Sequence, residues 1–101
     1  MTKFFAIIAT DKPGATATRM AKLGEHLAHV EAAIDQLAVA GPLRDRDNNF
    51  VGSLLVVKAD SEAEARAMLE DDPYYRANIW ADIQIHAFGA AAGDWVGGKT
   101  W

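Results

Sequence analysis

His26, Asp72 and Arg19 are the residues of this chain best suited to proton chemistry. A histidine at the rim of a core titrates near neutrality and serves as general base or acid when a carboxylate orients its ring. On a helical wheel at about 100° per residue, His26 falls just beyond the apolar stripe that holds Val30 and Leu37, and Arg19 lies on the same edge. His29 is rotated further toward solvent. Asp71 and Asp72, followed by Pro73 and Tyr74, place two carboxylates where a second helix ends. A carboxylate beside His26 would favour the imidazolium form by charge attraction. Asp72 also has a simpler use, because Asp before Pro is good N-cap chemistry for a short helix opened by Pro73.

Other constellations carry less. His26 and His29 are half of a metal site, but neither His86 nor Asp82 stands at the spacing that would complete it, so no metal is expected. Glu25 and His29 fit an exposed i, i+4 pair. Gly52 and Ser53 offer close backbone approach beside a hydroxyl, or an ordinary hairpin exit. Tyr74, Tyr75 and Trp80 can stack on a planar ligand or fill a core or interface. There is no Gly-x-Ser-x-Gly elbow, no P-loop and no dinucleotide fingerprint, which argues against a serine hydrolase, a nucleoside triphosphatase and a Rossmann oxidoreductase.

Composition sets the frame around these residues. The chain has 101 residues, and that is the size of one domain. Such a domain buries a modest fraction of its surface, so a second subunit is a natural source of further burial. With no Cys, disulfides, thiolate nucleophiles and cysteine metal sites are excluded. A net charge of −4 with no segregated basic patch argues against nucleic acid as a partner. The apolar run Phe4 to Ala9 is too short for a signal peptide or a membrane span, so a soluble cytoplasmic protein is expected.

The elements that must position the site follow from periodicity. Lys3 to Thr10 reads as a first strand, apolar on both faces and ended by Asp11-Lys12-Pro13-Gly14. From about Thr16 to Ala40, Met20, Leu23, Leu27, Val30, Ile34 and Leu37 recur at 3- and 4-residue spacing, which predicts one long helix. Gly41 and Pro42 are expected to terminate it. Gly41 to Asp45 then reads as a short second strand, Arg46 to Asn49 as a turn, and Ser53 to Ala59 as a third strand. Ser61 and Glu64 form a capping box before a second helix that runs to about Glu70. Trp80 to Phe88 alternates Ala81, Ile83, Ile85 and Ala87 with Asp82, Gln84 and His86, which predicts a last strand. The Gly/Ala-rich tail, residues 89–101, is expected to be irregular, with Trp95 and Trp101 docking parts of it.

The order βαββαβ predicts an α+β ferredoxin-like plait, one antiparallel sheet with two helices on one face. Because the first strand is apolar on both sides, its other face is expected to be covered by the same face of a second subunit. The result would be a dimeric α+β barrel whose central space or mouth is lined by Asp82, Gln84 and His86.

The residues together resemble the YCII (YciI-like) family over roughly 3 to 88. The likeness rests on Arg19, His26-Leu27-Ala28, Ala40-Gly41-Pro42, Gly52-Ser53, the stretch Ser61 to Ala67, and Asp72-Pro73-Tyr74. It implies a dimeric α+β barrel with a site built on a His–Asp pair, here His26 and Asp72, with Arg19 and Ser53 near the cleft. One type in that family is a dehydrochlorinase acting on a chlorinated hydroxyhydroquinone. The expected function is cofactor-independent acid–base chemistry, of lyase, isomerase or hydrolase type, on a small aromatic or carbonyl-bearing molecule. In that scheme Arg19 holds an anionic substituent, Ser53 and Tyr74 contact the substrate, and a non-catalytic ligand-binding or sensing dimer is the alternative.

Overall fold

Four antiparallel strands form the central sheet of the computed structural model, which describes residues 3–101. They are β1 (Phe4–Asp11), β2 (Leu37–Arg44), β3 (Phe50–Lys58) and β4 (Trp80–Phe88), in the order β2-β3-β1-β4. Helices α1 (Thr16–Ala21) and α2 (Leu23–Ala32) join β1 to β2, and α3 (Glu62–Glu70) with α4 (Pro73–Arg76) joins β3 to β4. This is the ferredoxin-like α+β arrangement. Among the described residues no helix is long and apolar enough to cross a membrane.

One core face holds the molecule together. Phe5, Ile7 and Ala9 of β1 and Leu55 and Val57 of β3 are buried against Ala65 and Leu69 of α3, with Tyr74, Ile79 and Trp80. The register pairs Ile7 with Leu55 on one side and Ile85 on the other, so the apolar positions of three strands share a face. Ser61 caps α3 by accepting the Glu64 N–H at 3.2 Å. The Glu64 carboxylate returns to the Asp60 N–H at 2.8 Å, one residue earlier than the usual capping box.

The expected single helix from Thr16 to Ala40 is shorter and bent. Lys22 (φ −97, ψ 1) interrupts it, although the Lys22 N–H still donates to Thr18 O at 3.0 Å and His26 N–H to Lys22 O at 2.9 Å. The helix ends at Ala32, a 3-10 turn spans Ile34–Gln36, and Leu37 to Ala40 belong to β2. Leu37 fits both a helical stripe and a strand alternation, and the strand won. Gly41 and Pro42 lie inside β2 rather than ending a helix, because β2 is the sheet edge, where the missing Pro N–H leaves no ladder bond broken.

The apolar stripe of the bent helix does not seal a core either. Met20, Leu27 and Ile34 are 51%, 54% and 58% exposed, because the helix stands off the β2–β3 half of the sheet. The tail also departs from expectation. It forms a small hairpin of β5 (Ala92–Gly93) and β6 (Gly98–Lys99), and Trp95 and Trp101 project into solvent instead of docking.

The close approach suspected at Gly52 is real. A Cβ there would collide with the Ala9 carbonyl oxygen and come within 3.3 Å of Leu43 Cδ1. Gly52→Ala is therefore expected to lower stability by about 1–3 kcal/mol, read as a drop in the urea midpoint. An unchanged midpoint would mean that β1 and β3 separate at that point without penalty.

Candidate functional site

A cleft of about 230 Å³ opens where α1 and α2 stand away from the sheet. Met20, Leu23, Leu27 and Val30 form its helical wall, and Ala40, Pro42, Phe50 and Leu55 form its sheet wall. Its polar groups come from His26, Arg19, Ser53 and Tyr74. The volume is below the roughly 300–1,000 Å³ of pockets for drug-sized ligands, so it suits a single-ring compound.

His26 is set by two neighbours. Its Nδ1 lies 2.9 Å from both carboxylate oxygens of Asp72. Its ring stacks on Tyr74 at 3.9 Å between centroids and 11° between planes. Asp72 is buried, and its Oδ1 also accepts the Tyr74 N–H at 2.9 Å, capping α4. The two readings of Asp72, cap and histidine partner, are thus met by one carboxylate, whose oxygens offer about four acceptor sites. Pro73 helps by restricting Asp72 to the extended backbone (φ −70, ψ 132) that a cap needs. Asp71 is exposed, and its carboxylate lies 3.7 Å from Arg76. The other ring nitrogen, His26 Nε2, has no hydrogen-bond partner among the described residues and is not sealed from solvent. With the proton of a neutral imidazole on Nδ1, toward Asp72, the Nε2 lone pair is open to a ligand.

Arg19 is less free than its place in the sequence suggests. Its Nε donates to Asp11 Oδ2 at 2.9 Å and its Nη2 to Asp11 Oδ1 at 2.8 Å, a bidentate pair with both side chains only 5% exposed. Nη2 also donates to Gly52 O and to Ser53 Oγ, each at 3.1 Å. Nη1 takes no part in these four hydrogen bonds, so any anion-holding role falls to that atom. The guanidinium also lies 4.8 Å from the Tyr74 ring centroid and 5.8 Å from that of Phe50. Burial works against its charge, but the hydrogen bonds and charge of Asp11 outweigh it, and its pKa stands above the ordinary arginine value.

Tyr74 therefore sits among His26, Arg19 and Trp80, the last meeting it at 6.1 Å and 87°. Burial raises its phenol above the usual value, against the pull of the nearby Arg19 charge, so the hydroxyl keeps its proton at neutral pH. Trp80 Nε1 is the one sealed side-chain polar atom without a partner among the described residues.

The structure thus brings all five site residues read from the sequence, His26, Asp72, Arg19, Ser53 and Tyr74, to one place. Asp11 and Phe50 were missed. Asp11 reads in sequence as a turn former after β1, and no spacing rule links it to Arg19. His86 stays apart on the other face of the sheet, 3.4 Å from Gln84. No three His, Asp or Glu side chains converge as a metal site among the described residues.

Fold and cleft together define a ferredoxin-like domain with a small-molecule-sized site beside a buried His–Asp contact. The chain belongs to the YCII-related domain family, which it matches over residues 3–89. It is 28% identical over 92 residues to Protein YciI of Escherichia coli O6:H1, an alignment covering 83% of this chain and 94% of that protein. Among solved structures it resembles 5-chloro-2-hydroxyhydroquinone dehydrochlorinase (TftG) of Burkholderia phenoliruptrix AC1100, in complex with 2,5-dihydroxybenzoquinone. The TM-score is 0.79 and the identity 27%, over 90% of this chain and 96% of that one. A protein of unknown function from Nitrosomonas europaea shares the fold at TM-score 0.55 and 18% identity, over 92% and 95% of the two chains.

Proposed function

We propose that the chain is a cofactor-independent enzyme that moves a proton on a small, planar, oxygenated substrate, with His26 as the acid–base group and Asp72 as its orienting partner. One observation carries this reading: Nδ1 of His26 is held 2.9 Å from Asp72 while the same ring lines a one-ring cleft and its Nε2 has no hydrogen-bond partner among the described residues. Asp72 fixes the tautomer, Nε2 takes a proton from the substrate, and the apolar walls exclude water from the step. The neutral Tyr74 hydroxyl and Arg19 Nη1 are the donors available to a substrate oxygen. The solved relative TftG, a dehydrochlorinase, supports elimination chemistry of this kind, in which a proton and a chloride leave a ring.

The functional unit is a homodimer. Ile8, Leu54 and Phe88 are each more than a third exposed on the face of the sheet opposite the helices, and a second copy of that face supports their burial.

The direct test is to incubate the chain with 5-chloro-2-hydroxyhydroquinone and follow chloride release. Release that saturates with substrate and is absent from a His26→Asn control is the expected result. Saturable binding without chloride release would favour the ligand-binding dimer instead.

A further inference from the structure

We infer that the tail hairpin is a dimerisation arm, which closes over the rim of a second copy with Trp95 and Trp101 as its anchors. The inference rests on the homodimer reading above and adds the element that completes its interface.

Area is the first argument. Strands of eight or nine residues rise about 3.3 Å per residue and stand about 4.8 Å apart, so the outer face of the four-stranded sheet is roughly 500 Å² in outline. Its β4 row is polar, with Asp82, Gln84 and His86 exposed, so the apolar part is smaller still. A stable interface takes about 800 Å² from each partner. Interface sizes count accessible surface, which exceeds an outline, and a buried aromatic adds about 150–250 Å² of it, so two indoles extend the apolar surface that a second copy can cover.

The tail is built to present those indoles. Thr100 N–H and its hydroxyl both donate to Ala91 O, at 2.9 and 3.1 Å, and Gly97 N–H donates to Asp94 O at 3.0 Å. Gly93, Gly97 and Gly98 take positive φ values of 132°, 82° and 108°, as a tight reversal requires. The hairpin is thus an ordered element, yet Trp95 is 83% and Trp101 76% exposed. Two-residue strands do not hold a hairpin by themselves in water, so this one needs a surface to lie on.

A groove of about 720 Å³ separates the hairpin from its own outer face. Phe4, Val39, Leu54, Val56, Phe88 and Trp95 line it together with Lys58 and Asp94, so the groove is mostly apolar and continuous with the face assigned to the second copy. In a two-fold arrangement the contact is made twice, each arm gripping the other copy's rim. The segment also lies beyond residues 3–89, where the family match ends.

Sedimentation velocity over a concentration series tests the arm on the full chain. Truncating an interface hot spot weakens association about thirtyfold or more. The double variant Trp95→Ser, Trp101→Ser is therefore expected to raise the dimer dissociation constant at least about a hundredfold. Trp101→Ser alone, at the last residue, leaves the hairpin backbone intact and is expected to weaken the dimer by a smaller factor. On dilution the tryptophan emission of the parent should shift to the red as Trp95 and Trp101 meet water, while buried Trp80 does not change. Unchanged dimer affinity in both variants would overturn the arm and leave the homodimer standing. A parent chain that is monomeric at every concentration would overturn both.

Discussion

Replacing His26 with asparagine is expected to lower kcat by about 10²–10⁴-fold while KM changes little. The asparagine amide can still donate to Asp72, so the buried carboxylate keeps a partner and the cap on α4 is untouched. What is lost is the second nitrogen of a ring that lines the cleft, the group proposed to exchange a proton with substrate. The same variant should bind a non-reacting planar ligand almost as well as the parent, since the apolar walls and Tyr74 remain. A variant with parental kcat would show that the proton moves through another group, and the Tyr74 hydroxyl would be the first to examine.

The largest effect on stability is expected from Asp11→Ala. Asp11 and Arg19 form a bidentate pair in which both side chains are almost fully buried. Removing one partner of such a pair costs about 3–5 kcal/mol, because the other charge stays buried without compensation. For a chain of this size each kcal/mol moves Tm by about 4–8 °C. A loss of about 12 °C or more in a calorimetric scan is therefore expected. The damage should reach the cleft, since Arg19 also ties Gly52 O and Ser53 Oγ and lies against Tyr74. A shift of only a degree or two would mean that water enters and solvates Arg19 when the carboxylate is gone.

Much of this arrangement was legible in the sequence, for identifiable reasons. The strands β1 and β4 and the capped helix α3 carry local signals: a β-branched run, an alternation, and Ser61 with Glu64. His26 was placed at the core margin by helical angle alone, and it lies there, largely buried against Tyr74. Asp72 was legible as a cap because capping chemistry is local. Its meeting with His26 spans 46 positions of sequence, and spacing alone does not report such a contact. The long-helix reading failed where two periods overlap. Leu37 and Val39 fit a strand as well as Leu37 fits the stripe, and the edge position of β2, which settles how Pro42 is used, is a tertiary fact. Asp11 failed for the same reason: its partner lies across a turn and on another element.

The stand-off of α1 and α2 from the sheet sets how freely the site can diverge. Met20 and Leu27 line the cleft yet are half exposed, and the core under α3 closes without them. Substitution there reshapes the wall that meets a ligand at little expense in folding energy, as exposed positions generally allow. On the opposite side, His26, Asp72, Tyr74 and Arg19 are locked to one another and to the core, so they tolerate few changes. Within one small domain, a fixed polar edge thus faces an adjustable wall, and new ligand preferences can arise on the wall without disturbing the edge.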